Sequence, residues 1–407
     1  VYLIGGMVRD LLLQRDSIDV DLVIDGDALR IARAVGAALN LPVACHPRFG
    51  TAHIEVPSDS PSSVQIDFAS ARRETYAYPG ALPQVEAGSI VDDARRRDFT
   101  INALGIRLNG PPESRRDWID PGTGLSDLRA GLIRVLHPQS FLDDPTRLFR
   151  AVRFAARFQF TIEPQTSVML QQALRGRALA TIAGERIRRE IELLCDEAQP
   201  GRGLLLAQTL GVWDALQPGW EPLRAPLIED GGLDRHLNAW SDCAAAREVT
   251  RSQLALCCLF ASLSAGQADS VIRQLAFDRQ RRALLQAVQE QGEILRNTLA
   301  SRRTSGDSPP PPSIVHALLA DIPVAALVFL DLVWHSWPNE RASLQRELRT
   351  TRDVRLEIGG EDLVTAGIPA GPSIGRRLAL TLAAKQDGVV FTRADELSFA
   401  LAQRNDG

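Results

Sequence analysis

The sequence contains almost no lysine. Of its 46 basic residues only Lys385 is a lysine, and the others are arginines. Any positively charged surface is therefore built from guanidinium groups, which can grip a carboxylate or a phosphate through two parallel hydrogen bonds. The net charge of -4 excludes a chain that is basic throughout, so a nucleic-acid contact would require local basic patches.

The sequence also lacks the marks of a membrane or secreted protein. No apolar run reaches about 18 residues, and no basic segment followed by an apolar stretch indicates a secretory signal. The cysteines are Cys45, Cys195, Cys243, Cys257 and Cys258. Their odd number and the absence of CxxC spacing fit a reducing compartment and argue against structural zinc. We therefore expect a cytoplasmic protein without a membrane partner.

The pattern of apolar residues divides the chain into two parts. Up to about residue 135, short segments rich in β-branched residues alternate with amphipathic segments, which predicts strands and helices of an α+β domain. Two segments there contain Pro and Gly: residues 72–89 are predicted to be a loop, and residues 117–136 a hairpin-like turn region. From about Leu142 onward the spacing predicts helices, interrupted by a polar, Pro-rich linker at 301–312.

The stretch LIGGMVRDLLLQRDSIDVDLVID carries the first candidate site. Asp19 and Asp21 are two apart on a predicted strand, so they should project together and could hold a hard divalent cation. Gly5 and Gly6 stand between a strand and a helix, where free N–H groups can receive an anion, and Arg9 is one turn further on. Taken singly, a Gly-Gly turn is often only a turn, and an Asp-x-Asp is usually a solvated strand face.

Asp67, in VQIDFASA, is a candidate third carboxylate on a neighbouring strand. The alternative, an aspartate that merely ends a strand, is nearly as probable on sequence alone. If Asp67 joins the first pair, the site would present three carboxylates beside the glycine turn.

The second cluster is RRRDFTINALG at residues 95–105. If a helix begins there, its arginines oppose the helix dipole, which indicates an anionic partner. Arg97 is predicted to reach a phosphate, and Asp98 and Asn102 to hydrogen-bond a ribose. The alternative is a basic helix terminus without a ligand.

The third cluster is DDPTRLFRAVRFAARF at residues 143–158. Asp144, Arg147, Arg150 and Arg153 recur every three residues and predict a polar row on one helix face. Alternatives are an N-cap role for Asp144 before a proline and a solvated arginine face. A carboxylate beside an arginine complements the Watson–Crick edges of cytosine and adenine, which present an amino donor next to a ring-nitrogen acceptor. Guanine and uracil present the reverse order, so Asp144 with Arg147 could select C or A.

These three clusters resemble the motifs of the class II tRNA nucleotidyltransferases, the CCA-adding enzymes, and of their bacterial poly(A) polymerase relatives. GGMVRDLLLQRDSIDVDLV is similar to the family's catalytic signature, and RRDFTINA at 96–103 matches a second family motif letter for letter. DPGTGLSDL at 120–128, the segment at 143–158 and GERIRREI at 184–191 follow in the family's order. The resemblance covers about residues 1–200, and Asp143 stands where the family more often has Glu.

The resemblance implies a fold and a domain order. The fold would be a polymerase-beta-like nucleotidyltransferase palm, a mixed sheet with helices, followed by an all-α neck, body and tail. The segments would be the head or palm at 1–138, the neck with the base-selecting motif at 139–200, the body at 201–300, the exposed linker at 301–312 and a tRNA-binding tail at 313–407.

The resemblance also implies the chemistry. The tRNA 3′-hydroxyl would attack the α-phosphate of CTP or ATP without a template, and pyrophosphate would leave. Two Mg²⁺ ions would be held by Asp19 and Asp21. Nucleotide contacts would come from Gly6, Arg9, Arg97, Asp98, Asp144, Arg147, Arg150 and Arg153, with Asp144 and Arg147 reading the base. The tRNA would be held at its acceptor stem and T arm through shape and backbone, by a monomer or a dimer. Basic candidates for that contact, none of them assigned singly, include Arg175, Arg177, Arg186, Arg188, Arg189 and Arg202.

Three further alternatives remain open at this point. The poly(A) polymerase branch usually has a long basic C-terminal extension, which is absent from these 407 residues. A small-molecule nucleotidyltransferase or a catalytically dead tRNA-binding protein would share parts of the pattern. No His-Asp doublet occurs, so no phosphohydrolase activity is expected. The resemblance also bears on the product, because the family's CC-adding members have a shortened loop between the palm strands and the RRD motif. Residues 72–96 fill that region here and are not obviously shortened. Their length favours CCA or A addition over CC addition and does not decide between the first two.

Overall fold

The computed structural model describes residues 1–16, 19–57, 63–109, 118–228, 231–301 and 309–403, without the side chains of Asp19, Glu290, Gln291 and Glu293. The chain forms two units. The first consists of Val1–Leu194 and Leu206–Leu216, and the second of Cys195–Leu205 and Gln217–Gly407. The five predicted domain segments stay a prediction, and residues 302–308 of the predicted linker lie outside the described residues.

All of the strands in the described residues belong to the first unit. They are β1 (Tyr2–Ile4), β2 (Asp19–Ile24), β3 (Ala44–His46), β4 (Thr51–Val56), β5 (Val64–Ser70), β6 (Arg72–Thr75), β7 (Gln84–Ala87), β8 (Gly105–Arg107), β9 (Trp118–Ile119), β10 (Leu132–Ile133) and β11 (Thr161–Ile162). Seven of them form one mixed sheet in the order β3-β4-β5-β2-β1-β8-β9, in which only β2 and β5 run parallel. The predicted α+β class is confirmed.

The helices of the first part of the chain are α1 (Gly6–Leu12), α2 (Ala28–Leu39), α3 (Ile90–Arg95), α4 (Gly124–Ala130), α5 (Ser140–Asp143), α6 (Arg147–Phe158), α7 (Pro164–Arg175), α8 (Gly184–Cys195), α9 (Pro200–Thr209) and α10 (Val212–Leu216). Local chemistry fixes several ends. The Asp27 side chain accepts from Arg30 N and starts α2, while Ser89 and Asp92 form a capping box that starts α3.

Two apolar clusters fix the main sheet in place. Ile24, Ala52, Ile54 and Phe68 pack with residues of α2, and Ile4 and Val23 pack with residues of α3. Strand residues alternate between faces, so the strands are buried on both. This packing sets the register of β2 against β5, which matters for the site.

Two segments differ from their predictions. Residues 72–89 are not only a loop, because β6 and β7 pair antiparallel from Arg72↔Ala87 to Thr75↔Gln84. Residues 117–136 are not hairpin-like: β9 pairs with β8, α4 follows, and β10 pairs in parallel with the distant β11. β6 (RRET) contains only polar residues, β7 (QVEA) is four residues long and exposed throughout, and β9 and β10 are two residues long, so neither segment shows the extended alternation of a half-buried strand.

In the described residues of the second unit, helices are the only regular secondary structure. Its helices are α11 (Ala225–Ile228), α12 (Gly232–Asn238), α13 (Arg251–Phe260), α14 (Ala265–Gln274), α15 (Arg279–Gln286), α16 (Gly292–Ser301), α17 (Pro312–Leu319), α18 (Val324–Val333), α19 (Pro338–Arg346), α20 (Gly360–Thr365), α21 (Pro372–Gln386) and α22 (Arg393–Ala402). Trp220, Trp240 and Phe329 are among its largest fully buried side chains.

Within the described ranges, no single helix is both long and apolar enough to cross a membrane. The pair Pro312–Leu319 and Val324–Ser336, bent by 114°, reaches that length and composition only when the two helices are taken together.

Candidate active site

The first unit contains a cavity of about 710 Å³. It brings together residues from all three clusters that the sequence singled out. Eight arginines and five carboxylates line it: Arg9, Arg96, Arg97, Arg147, Arg150, Arg153, Arg157 and Arg186, with Asp21, Asp67, Glu74, Asp98 and Asp144. The excess of guanidinium groups suits an anionic ligand.

Carboxylates of two adjacent strands lie side by side at this cavity. Asp21 of β2 is the register partner of Asp67 of β5, and both line the cavity. His53 of β4 is aligned with Asp67 in turn, with 3.8 Å between His53 Nδ1 and Asp67 Oδ1. Asp67 is therefore not only a strand-end aspartate.

The donor set at these strands fits a hard divalent cation, because such ions prefer carboxylate oxygens. The backbone of Asp19 begins β2, opposite Gln65, but its side chain lies outside the description. In the described part of the chain, no group of three or more His, Cys, Asp or Glu side chains is arranged to hold a metal. Asp21 and Asp67 thus form the described part of the predicted site.

The glycine turn differs from its prediction in one respect. Gly5 N–H is not free for an anion, because it donates to Leu104 O at 2.9 Å. Gly5 instead has φ +89°, and a Cβ built there would stand 2.4 Å from Arg97 Nη1. The positive φ requires glycine here, and the missing Cβ lets the Arg97 guanidinium approach the backbone closely. Gly6 begins α1 and lines the cavity.

Arg9 is buried and held on three sides. Its Nε and Nη2 donate to the Asp10 carboxylate at 2.8 Å, and Nη1 donates to Asn102 Oδ1. The guanidinium carbon lies 4.6 Å from the ring centroid of Phe158, in cation–π contact. The group is oriented before any ligand arrives.

The arginines at 95–97 lie at the end of a helix and not at its start, so the prediction that they oppose the helix dipole was wrong. The helix α3 ends at Arg95 and Arg96 is its C-cap, so these cations stand at the favourable end of the helix dipole. Arg96 and Arg97 both pair with the buried Asp93. The placement by itself therefore indicates no anion, although Arg96 and Arg97 both line the cavity.

Asp98 and Asn102 belong to one buried network. Asn102 Nδ2 donates to Asp98 Oδ1 at 2.9 Å, and Arg150 Nε donates to Asp98 Oδ2 at 2.7 Å. Burial opposes ionisation of Asp98, but Arg150 and the Asn102 hydrogen bond outweigh it and hold the pKa of this carboxyl below its ordinary value. Asp98 is therefore a carboxylate that anchors Arg150.

The arginines of α6 are not a solvated face. Arg147 and Arg153 are only 5% and 6% exposed. Arg147 donates to Ser140 Oγ and to the Arg96 carbonyl, each at 2.7 Å, while Arg153 pairs with Glu190 of α8 at 3.5 Å. Burial raises the pKa of Glu190, and Arg153 and Arg150 offset part of that effect. Acidic partners that looked scarce in the local sequence come from other elements.

Asp144 fulfils the capping alternative ahead of α6, because its backbone is extended and its side chain accepts from the N–H two residues further on, beyond Pro145. The helix begins at Arg147 after Thr146, and Asp144 Oδ1 accepts from Thr146 N at 3.0 Å and from Thr146 Oγ1 at 2.7 Å. It also accepts from Arg186 Nη2 at 2.9 Å. Asp144 and Arg147 both line the cavity, as a base-reading pair would require.

Several residues lie outside the predicted site set but line the cavity: Glu74, Tyr76, Pro83, Arg96, Phe154, Arg157 and Arg186. The hairpin supplies the first three. Tyr76 donates to Glu74 at 3.1 Å, and Glu74 accepts from Arg96 at 2.9 Å. Burial, followed by the Glu74 charge, raises the pKa of Tyr76 to about 12. The i, i+4 spacing of Arg186 and Glu190 in GERIRREI was a signal that sequence reasoning did not use.

The sequence of the chain is similar to a known family and to known proteins. Residues 1–134 match the family described as the Poly A polymerase head domain. A CC-adding tRNA nucleotidyltransferase from Deinococcus radiodurans is 31% identical over 98% of this chain and 88% of its own length. An A-adding tRNA nucleotidyltransferase from Halalkalibacterium halodurans is 44% identical over 53% of this chain, which spans half of that relative's length.

A solved structure extends the likeness to the whole chain. The Thermotoga maritima CCA-adding enzyme complexed with tRNA has a TM-score of 0.70 and 29% identity, covering 98% of this chain and 90% of its own. The mixed sheet, the Asp21 and Asp67 pair and the head-domain match define a protein with a nucleotidyltransferase head. The chain belongs to the class II tRNA nucleotidyltransferase family, whose members generally use divalent metal ions.

Proposed function

We propose that this protein adds all or part of the CCA sequence to the 3′ end of tRNA, using CTP, ATP or both, without a template. The observation that carries the proposal is the single cavity shared by Asp21, Asp67, Arg97, Asp144 and Arg147. It unites carboxylates suited to a metal, guanidinium groups suited to a triphosphate, and a carboxylate–arginine pair suited to a base. The relatives named above act on tRNA, which supports this acceptor.

The metal site would be built on β2 and β5. Asp19 and Asp21 would hold two Mg²⁺ ions, with Asp67 beside them as the third carboxylate; when bound, these ions lower the pKa of an attacking hydroxyl and stabilise a leaving oxygen. Gly6 and Arg9, at the start of α1, would receive the triphosphate.

Arg97 and the arginines of α6 would orient the nucleotide. Arg97, Arg150 and Arg153 line the cavity, and protein acceptors already orient them, so little side-chain entropy is lost on binding. They would hold the phosphates in line for attack by the tRNA 3′-hydroxyl on the α-phosphate, after which pyrophosphate leaves. Asp98 and Asn102 would contact the ribose.

Selection of the base would rest on Asp144 and Arg147. The carboxylate accepts from the amino group of cytosine or adenine, and the guanidinium donates to the neighbouring ring nitrogen. A good paired contact of this kind discriminates by roughly 1–3 kcal/mol in groove recognition of bases. Guanine and uracil would place an acceptor opposite the carboxylate and a donor opposite the guanidinium.

The tRNA would be held at its acceptor stem and T arm, by shape and phosphate contacts. We place the protein in the cytoplasm, as a monomer or a dimer. Relatives with A-adding and CC-adding activity both match this chain, so its product must be measured.

The deciding experiment uses three tRNA transcripts, ending before CCA, after C and after CC. Each is incubated with Mg²⁺ and labelled CTP, ATP or both. Extension of all three to CCA would identify a complete CCA-adding enzyme. Extension of the CC-ended transcript alone, by one A, would identify an A-adding enzyme, and an arrest at CC would identify a CC-adding enzyme.

The matched control is Asp21→Asn, which removes one charge from the predicted metal site without changing size. We expect it to abolish incorporation while tRNA binding in a filter assay is retained. Full incorporation by the variant would contradict the metal assignment. Failure of the unaltered protein to extend any transcript would contradict the proposed function.

A further inference from the structure

The hydrogen bonds to Asp144 all fall on one of its two oxygens. Thr146 N, Thr146 Oγ1 and Arg186 Nη2 donate to Oδ1 at 3.0, 2.7 and 2.9 Å. Among the residues that the structure describes, no group donates to Oδ2. The carboxylate is thus fixed through one oxygen, and the other keeps its acceptor capacity.

Arg186 differs from the two Thr146 donors because it comes from another element. It is the third residue of α8, with its backbone N–H bonded to Ala183 O at 3.0 Å. Glu190, one turn later, pairs with Arg153 across the same cavity wall. Through Glu190 and Arg186, α8 is therefore bonded both to α6 and to the segment that precedes α6. The bond from Arg186 is charge-assisted and is therefore stronger than a neutral hydrogen bond.

The same guanidinium also approaches the hairpin connection. Arg186 Nη1 lies 3.5 Å from the Gly80 carbonyl, between β6 and β7. Gly80 N–H donates to Leu142 O at 2.9 Å, and a Cβ on Gly80 would stand 2.2 Å from Thr181 Oγ1. The segment between β6 and β7 therefore lies beside Arg186 and limits the positions that the Arg186 side chain can adopt.

We propose that Arg186 is a positioning residue for base selection. It holds the Asp144 carboxylate in the orientation in which Oδ2 accepts from the amino group of the incoming nucleotide base. This rests on the proposed function, and it assigns to the neck helix a part in choosing the nucleotide. Without Arg186, Asp144 keeps only donors from its own turn, and its carboxylate can rotate to present either oxygen or to withdraw from the base.

The test compares Arg186→Gln, Arg186→Lys and the unaltered protein. For each, kcat/KM is measured for the nucleotide that the unaltered protein adds and for GTP and UTP. Groups that orient a liganding side chain typically matter by about 10–100-fold, so we expect Arg186→Gln to lower the ratio of correct to wrong nucleotide about tenfold or more. Arg186→Lys should restore part of the ratio, since it keeps one charged donor.

Arg189→Gln is the matched control, because Arg189 is exposed on the same helix and its loss removes the same charge. It should leave the ratio unchanged. An equal loss for all nucleotides in Arg186→Gln, or an unchanged ratio, would overturn the positioning role while leaving the proposed function in place. If the Gln variant fails to fold, Thr146→Val, which removes one Oδ1 donor, must lower the ratio in the same direction. No extension of tRNA by the unaltered protein would refute the proposed function itself.

Discussion

At the scale of single residues, the arginines of the cavity wall are held by contacts with neighbouring side chains, among them the ring of Phe154. Four guanidinium carbons, those of Arg9, Arg150, Arg153 and Arg157, lie 5.0–5.9 Å from the ring centroid of Phe154. Arg150 also pairs with Asp98. On the proposed function, an incoming triphosphate would meet cations that are already oriented, and preorganised charges of this kind stabilise developing negative charge.

Gly5→Ala tests this orientation at its tightest point. The added methyl group would stand 2.4 Å from Arg97 Nη1, so the guanidinium must move away. With φ +89° and ψ -133°, Gly5 lies in a backbone region that other residues rarely adopt, so the substitution also strains the folded state by about 1–3 kcal/mol. Because losing a hydrogen bond to a charged group costs about 1.5–3 kcal/mol, we expect KM for the nucleotide triphosphate to rise roughly tenfold or more. Steady-state kinetics and urea unfolding measure the two effects.

Gly211→Ala separates the two effects. Gly211 has a similar φ of +77°, and a Cβ there would meet nothing within 4 Å. This variant should lose stability through backbone strain without a change in KM. A rise in KM of equal size in both variants would show that backbone strain, rather than displacement of Arg97, is responsible.

At the scale of elements, the sequence predicted what depends on local pattern. The strands with β-branched alternation and the amphipathic helices appear where the spacing placed them, as β2 and α2 show. The hairpin of β6 and β7 was missed because its strands are four residues long and little buried, and its pairing joins residues 9 to 15 positions apart. Asp98 with Arg150 and Asp144 with Arg186 were missed for the same reason: tertiary packing, not local spacing, brings them together.

The hairpin leads to a prediction about pH. The chain has three tyrosines, and the pKa of Tyr76 is raised from 10.0 to about 12 by burial and by Glu74. Between these values the unfolded chain loses the phenol proton while the folded chain keeps it, so the free energy of unfolding must fall as pH rises through this window. Ultraviolet titration of tyrosinate should show one late step, and Tyr76→Phe should abolish it.

Two variants check the origin of that step. Glu74→Gln removes the neighbouring negative charge and should move the pKa of Tyr76 back toward its ordinary value. Tyr78→Phe, at a residue that is 67% exposed, should leave the late step in place. Loss of the late step in Tyr78→Phe alone would show that the hairpin does not bury Tyr76 in solution.

At the scale of the whole molecule, the distribution of charge matters more than the net charge. The chain carries a net charge of -4, yet eight arginines converge on one cavity. A protein of this kind binds a polyanion through local patches and repels it elsewhere, so attraction and specificity are separable. The near absence of lysine means that the contact consists of guanidinium groups, which suit phosphate geometry.

Binding of tRNA should therefore depend steeply on salt. Each neutralised phosphate releases counterions, and a protein that contacts about 6–10 phosphates loses about 10³–10⁵ in affinity between roughly 50 and 200 mM salt. We expect the logarithm of the affinity of Asp21→Asn for a CC-ended transcript to fall linearly with the logarithm of salt concentration, measured by filter binding without nucleotide. The same measurement with the transcript lacking CC should give a nearly equal slope, because the stem and T arm supply most phosphate contacts. A flat response would mean that tRNA is not held through its backbone, and a slope that changes with each added C would place the main contact at the 3′ end instead.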